Sequence, residues 1–417
     1  MKVLWIINNL FPDICNELGI ETPVGGGWIF SSAKTFLNLY PSIQLGVASP
    51  YNVEKQKTHV INGITYFLVP NSKQKDKYNQ NLETQWKHIQ HNFKPDLVHI
   101  HGTEYPHGLA YINACGINNV VASIQGLVSV YARYYLGGIN ENIFKSNITL
   151  RDIYKQDTIL SQQRQFMFRG ELEKSLIQSV HHIIGRTSWD KAHIWAINPT
   201  SNYHFCNETL RDEFYQMRWN LNSCEKYSIF LSQAHYPIKG LHQMIKALPL
   251  ILDHYPNTKI YVAGNNFVTN KGWRLNGFGK YIQQLMKEKG ISNKIVFTGI
   301  LSEEEMCNRY LSSHVFVCPS AIENSCNSIG EAQLLGVPCV ASYVGGTSDL
   351  IRDEESGLLY RFEEVEMLAA AICRIFSNDL LAENLSTQGK AVAHIRHNKL
   401  TNANTLYSIY QSICKSS

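Results

Sequence analysis

Short apolar runs alternate with stretches of helical period along most of the chain. Runs at 2–7, 44–48, 65–69, 97–101 and 120–124 predict strands, with helices at 28–39, 82–92 and 108–115 between them. Strands that alternate with helices form a parallel sheet covered on its faces. From 127 to about 180 the pattern changes to a loop rich in Tyr and Gly and then a long polar helix ending in Glu171-Leu172-Glu173-Lys174-Ser175-Leu176-Ile177, which leads into a strand at 182–184. Cys, Asn and charged residues between 200 and 227 interrupt the alternation and mark a linker. It restarts with strands expected at 227–231, 259–263, 294–298, 314–318 and 338–341. The expected organisation is two α/β domains, 1–215 and 216–395. In two facing open sheets the carboxyl ends of the strands, and hence the ligand site, meet at the cleft between domains.

Length agrees with two cores, since 417 residues exceed what one core serves and 44% of them are hydrophobic. The formal net charge is only +4 and no dense Lys/Arg block occurs, so nucleic acid is not an expected partner. The ten cysteines are scattered without a Cys-x-x-Cys pair and read as reduced thiols in a cytoplasmic protein. The first apolar run stops at Asn8-Asn9 without a small-residue cleavage site, and reads as a strand. No stretch approaches the roughly 20 apolar residues a membrane helix needs, so any membrane contact is expected to be peripheral.

The most informative segment is Pro319-Ser320-Ala321-Ile322-Glu323-Asn324-Ser325-Cys326-Asn327-Ser328-Ile329-Gly330-Glu331. It follows a strand and opens a helix. A helix start with Asn327 and Ser328 as caps leaves backbone N–H groups that suit a diphosphate. Two carboxylates beside a diphosphate need neutral donors, and sugar and ribose hydroxyls supply them. Ser328-x-x-Glu331 is equally a capping box, in which the glutamate only returns to the cap N–H. Upstream, Val24-Gly25-Gly26-Gly27-Trp28 allows close backbone approach to a ligand, or simply a tight turn. No dinucleotide fingerprint and no nucleotide-triphosphate loop is present. His99 and His101 share a strand face, but no third metal donor can be placed beside them.

The segment resembles the Glu-x7-Glu signature of family 4 glycosyltransferases of the GT-B fold, in which two Rossmann-like domains face each other across a cleft. Lys239-Gly240-Leu241, Val262-Ala263-Gly264, Val296-Phe297-Thr298-Gly299 and Leu335-Gly336-Val337-Pro338 resemble further motifs of that family in the expected order. The resemblance implies a C-terminal helix at about 396–417 that packs back on the first domain. It implies Glu323 on the donor sugar, Glu331 on the ribose, and Lys239 on the diphosphate. Gly25, Gly26, Gly27, Asn327, Ser328 and Arg186 complete the implied donor site. The Arg that the family places before the lysine is absent from Ser232-Gln233-Ala234-His235-Tyr236, so His235, Gln233 or Arg274 stands in for it. Gln125 occupies a position that in relatives holds His or Arg near the sugar, and His101, Tyr134 and Tyr135 are acceptor-side candidates.

The implied activity is a retaining, metal-independent transfer from a nucleotide-sugar donor to a glycan or lipid-linked acceptor, in cell-surface polysaccharide synthesis. No cofactor is expected. A sugar-nucleotide epimerase or hydrolase would share the donor pocket, and a catalytically silent scaffold would suit the missing Arg and Gln125. Tyr131, Tyr134, Tyr135 and Phe144 with Arg133, Lys145 and Arg151 suggest a peripheral contact with the inner membrane face, or else the packing of the insertion onto its own domain.

Overall fold

The computed structural model describes residues 1–23, 26–70, 78 and 80–415. Their contacts form two compact units: unit 1 holds 1–130, 165–210 and 397–417, and unit 2 holds 131–164 and 211–396.

Among its described residues, unit 1 has eight strands: β1 (Lys2–Ile6), β2 (Gln44–Tyr51), β3 (Lys57–Ile61), β4 (Ile64–Pro70), β5 (Leu97–His101), β6 (Val120–Ser123), β7 (His182–Gly185) and β8 (Asn202–Phe205). Their order is β3-β4-β2-β1-β5-β6-β7-β8, and only β3 runs antiparallel. β1 shows why the strands read as unbroken apolar runs, because both faces of the sheet are covered. Leu4 and Ile6 point to one core with Trp86, Ile89 and Leu109, while Val3, Trp5 and Ile7 point to another with Phe36, Leu406 and Tyr410. Each such buried side chain contributes roughly 1.5–3 kcal/mol. The helix Lys399–Lys415 belongs to the second of these cores.

Besides β14 (Leu358–Tyr360), a three-residue strand absent from the expected set, three features depart from the sequence expectation. β3, exposed at the sheet edge, and the polar β8, inside the expected linker, were not foreseen, because neither has a buried apolar face to reveal it. The third concerns residues 131–164, which the sequence reading assigned to the first domain and which lie in unit 2. Thr149 Oγ1 donates to the Leu275 carbonyl at 2.9 Å, the Gly277 N–H donates to Asp152 Oδ2 at 2.7 Å, and His242 Nε2 donates to the Gly137 carbonyl at 2.8 Å. These partners lie more than 100 positions apart in sequence, beyond the reach of any local pattern.

Unit 2 has six parallel strands: β9 (Glu225–Leu231), β10 (Lys259–Ala263), β11 (Ile295–Gly299), β12 (Ser313–Cys318), β13 (Cys339–Ser342) and β14 (Leu358–Tyr360), in the order β11-β10-β9-β12-β13-β14. Helix Leu241–Leu252 buries Leu241, Met244, Ile245, Leu248 and Ile251, the spacing of one helical face, and packs on helix Val365–Ser377. In each sheet the order of the parallel strands reverses once, between β1 and β5 in unit 1 and between β9 and β12 in unit 2. Ligands of open parallel sheets bind outside the carboxyl ends of the strands at that reversal.

Candidate functional site

In unit 2 the reversal brings together the loops that follow β9 and β12. The first loop ends in the short turn Pro237–Lys239, and Gly240 adopts φ +73° against the backbone of Pro319. A Cβ there would lie 1.6 Å from the Pro319 carbonyl oxygen, so only glycine lets the two loops touch. The Ala321 N–H then donates to the Ile238 carbonyl at 2.7 Å. Gly345, at φ +54°, presses likewise on Glu323, and the Gly346 N–H donates to the Glu323 carbonyl at 3.0 Å. The turn Val344-Gly345-Gly346-Thr347 thus clamps the backbone of the first glutamate.

Both glutamates of the signature are buried, and each is held by one cation. Lys239 Nζ donates to Glu323 Oε1 at 2.6 Å, and Ser320 Oγ donates to the same oxygen at 2.7 Å. Arg211 donates through Nε at 2.8 Å and lies 2.7 Å away through Nη2, both on Glu331 Oε1. Among the described residues, neither carboxylate has a donor on Oε2. Each can therefore accept a hydroxyl without giving up its cation. Burial disfavours the Lys239 charge, but the Glu323 carboxylate outweighs it and holds the ammonium above its ordinary range. Arg211 is raised in the same way by Glu331. Burial pushes the Glu331 carboxyl up, and Arg211 partly offsets this.

Helix Asn327–Leu335 begins at this point with Cys326 as its N-cap and no side-chain cap bond. That corrects the expectation that Asn327 and Ser328 are caps, since they occupy the first two helical positions. The capping box is also absent, because the Glu331 carboxylate goes to Arg211 and not to the helix start. The N–H groups of Asn327 and Ser328 have no acceptor among the described residues, and the Asn327 Oδ1 is likewise enclosed and unpartnered. Ser328 Oγ accepts from Ser232 Oγ at 2.8 Å.

Of the three stand-ins for the missing Arg, Gln233 lines a cavity of about 10 Å³ with Ser232, Lys239, Ser320, Glu323 and Ser328. The His235 ring lies tilted against that of Tyr236, and burial, reinforced by the Lys239 charge, pushes its pKa down to about 4. Arg274 lies on the exposed turn Gly272–Arg274. The sequence reading missed Arg211, which stands 120 positions before its partner. Cys318, Glu323 and Cys326 place one ligand atom each within 4.8 Å of one another, the one three-donor group among the described residues. The Lys239 ammonium on Glu323 opposes a second cation there.

In unit 1, Gly26 and Gly27 start helix Gly27–Leu39, and Gly25 falls outside the described residues. Gly26 has φ +91°, and a Cβ on it would lie 3.0 Å from Asn9 Nδ2. The rings of His99 and His101 lie 3.7 Å apart between centroids, tilted by 31°, on the face they share. His99 bonds Tyr410 Oη at 2.6 Å through Nδ1 and Ser123 Oγ at 2.5 Å through Nε2. His101 has no hydrogen-bond partner among the described residues, and burial, helped by the Arg186 charge, pushes it down to about 3. Arg186 is buried, donates to the Ile124 carbonyl at 2.7 Å and pairs with Glu208. Gln125 is half-buried just after β6. Beyond β5, burial raises the Glu104 carboxyl to about 7, and its Oε2 is enclosed without a partner among the described residues. Of the two acceptor-side tyrosines, both in the part of unit 2 that spans 131–164, Tyr134 is exposed. Tyr135 is buried and donates to Gln162 Oε1 at 2.7 Å.

Two Rossmann-like parallel sheets, with a cation-held glutamate pair at the head of a helix in the second, define the GT-B architecture. Sucrose-phosphate synthase of Thermosynechococcus elongatus matches at a TM-score of 0.74 with 16% identity, covering 100% of both chains. The Anabaena protein HepE in complex with UDP-glucose matches at 0.68 with 15% identity, over 99% of this chain and 100% of that one. Residues 212–392 match the model of the family described as glycosyl transferases group 1. An uncharacterized glycosyltransferase of Methanocaldococcus jannaschii is 29% identical over 154 residues, 37% of this chain. The shared stretch spans only 36% of that relative's length. No described helix is long and apolar enough to cross a membrane.

Proposed function

We propose that the protein is a retaining glycosyltransferase that moves a sugar from a nucleoside-diphosphate donor to a glycan or lipid-linked saccharide, in the synthesis of a cell-surface polysaccharide at the cytoplasmic face of a membrane. The observation that carries this reading is the pair of buried glutamates, each with one oxygen on a cation and the other open. Glu323 Oε2 accepts from a hydroxyl of the transferred sugar, and Glu331 Oε2 accepts from the ribose. The diphosphate lies at the N–H groups of Asn327 and Ser328, where the helix dipole and the Lys239 ammonium offset its charge. As the bond from the anomeric carbon to the diphosphate oxygen breaks, that charge grows, and the same groups stabilise it more strongly than in the ground state. The acceptor oxygen bonds the anomeric carbon on the face the diphosphate leaves, and its proton passes to the departing phosphate. In this reading Lys239 and the helix supply the positive potential, and no metal ion is required.

HepE's complex with UDP-glucose supports a sugar nucleotide as the first ligand to try. The experiment is a thermal-shift screen of UDP-, GDP- and ADP-sugars followed by donor hydrolysis without acceptor. A donor at a hundred times its dissociation constant stabilises the folded state by about 2.7 kcal/mol. Stabilisation by one class of donor, lost in Glu323→Gln, is the expected result. No shift with any sugar nucleotide would overturn the reading, and binding without hydrolysis or transfer would leave a silent scaffold.

A further inference from the structure

Helix Leu150–Lys155 of unit 2 is inside out. Its one buried side chain is the carboxylate of Asp152, while Leu150, Ile153 and Tyr154 are 67%, 63% and 79% exposed. These three are spaced i, i+3 and i+4, so they share one face of the helix. The exposure is built in, because Asp152 serves both the capping box with Thr149 and the Gly277 N–H, and it turns the opposite face outward. Those bonds also seat the helix against the turn Gly272–Arg274, where Trp273 is 72% exposed. Four large apolar side chains thus stand out from two neighbouring elements, against the ordinary tendency of such residues to be covered.

Among the described residues, the charges around them that lack an ion-pair partner have one sign. Lys145 is paired with Glu141, and Arg151 with Asp157 and Asp152. Lys155, whose ammonium lies 5.8 Å over the Tyr154 ring, has no carboxylate partner among the described residues, nor have the exposed Lys271 and Arg274. No Asp or Glu occurs between Asp253 and Glu288. Of the aromatic residues that suggested membrane contact in the sequence, Tyr134 is exposed and the other three are placed differently. Tyr135 and Phe144 are buried, and the Tyr131 hydroxyl accepts from the Asn324 N–H at 3.0 Å.

We infer that the face formed by Leu150, Ile153, Tyr154 and Trp273, ringed by Lys155, Lys271 and Arg274, is a docking surface for an anionic lipid bilayer. Trp and Tyr favour the headgroup level, where the ring meets apolar chains and the polar edge meets water. Unpaired Lys and Arg beside them meet anionic headgroups. A second copy of this chain fits less well, because it would bring like-charged rims together. The inference gives the lipid-linked acceptor reading its contact point and rests on that reading for its biological meaning, while its test needs neither donor nor transfer.

The test is sedimentation of the full chain with phosphatidylcholine vesicles, with and without phosphatidylglycerol. Three proteins are compared: the parent, the triple variant Leu150→Ser, Ile153→Ser, Trp273→Ser, and the double variant Lys155→Ser, Lys271→Ser. Expected is parent binding that depends on phosphatidylglycerol, falling about fivefold for each cation removed and by about an order of magnitude or more in the apolar variant. All of the substituted side chains are exposed, and an unchanged melting temperature verifies that the variants fold. Failure of the parent to bind, or equal binding by the variants, overturns the inference. A concentration-dependent dimer that the apolar variant abolishes without vesicles also overturns it, and assigns the face to a second copy. Stabilisation by UDP-glucose, measured alongside, reports on the transferase reading separately.

Discussion

At the reversal point of the first sheet, His99 gives both ring nitrogens to Tyr410 and Ser123, and Arg186 is taken up by Glu208. At that of the second, Lys239 and Arg211 each hold a glutamate by one oxygen and leave the other open. The two positions therefore leave different atoms open: the His101 ring nitrogens and Glu104 Oε2 in unit 1, and a second oxygen on each glutamate in unit 2. Burial alone does not separate them, since Arg186, Glu208, Glu323 and Glu331 are all buried. In unit 2 an acceptor oxygen remains on each glutamate once its ion pair has formed.

The comparison can be broken most directly at Arg186. Arg186→Met leaves the buried Glu208 without its cation and is expected to cost about 3–5 kcal/mol of stability with donor affinity unchanged. Denaturant unfolding and a donor titration check both. Unchanged stability with a tenfold loss of donor affinity would give Arg186 the donor role that its sequence context implied. Glu323→Gln comes next, with turnover expected to fall on the order of a hundredfold, about 2.7 kcal/mol in the barrier. The side chain keeps its shape, so steady-state kinetics on a variant of near-parent melting temperature reads the charge alone.

Glu331→Gln is expected to raise the donor KM about tenfold, or 1.4 kcal/mol, with a smaller change in kcat. A drop in melting temperature alone would make the Arg211 pair structural and bring this corner of unit 2 into line with unit 1. The smallest effect is a pH slope. Glu104 titrates near 7 when folded against 4.5 as its ordinary value, so the folded protein holds a proton that the unfolded chain releases between those values. Its contribution is complete below about 4.5 and gone above about 7, and Glu104→Gln should flatten that part of the melting-temperature profile. His101, pushed down to about 3, acts in the opposite sense, because the stability it lends above pH 6.5 is lost as the pH falls. An unaltered profile in Glu104→Gln would mean that its carboxyl is solvated.

Legibility followed the distance between partners. Glu323, Asn327, Ser328 and Glu331 lie within one strand-to-helix passage, so spacing and residue type announced them. Lys239 was singled out by the resemblance of Lys239-Gly240-Leu241 to a family motif, whose glycine the structure sets against Pro319. Arg211 carried no signal, because an arginine in a charged linker looks like any solvated one until the fold delivers Glu331 to it. The fate of Tyr135 was equally hidden, since an aromatic-rich loop reads the same whether its rings face a ligand or pack inward. β8 escaped notice because Asn202-Tyr203-His204-Phe205 has no apolar period, its place being set by pairing with β7.

One long-range bond bears on how the chain is made. The Trp5 indole donates to the Tyr410 hydroxyl across 405 positions, and Tyr410 also bonds His99. At a ribosomal rate of about 5–20 residues per second, roughly 10–40 s separate the emergence of β8 from that of Tyr410. Through that interval Trp5 and Phe36 lack the last helix that shares their core, while unit 2 is being completed. The nascent first unit therefore keeps part of this core uncovered until the helix Lys399–Lys415 has been made, and a chain cut before Lys399 would remain in that state.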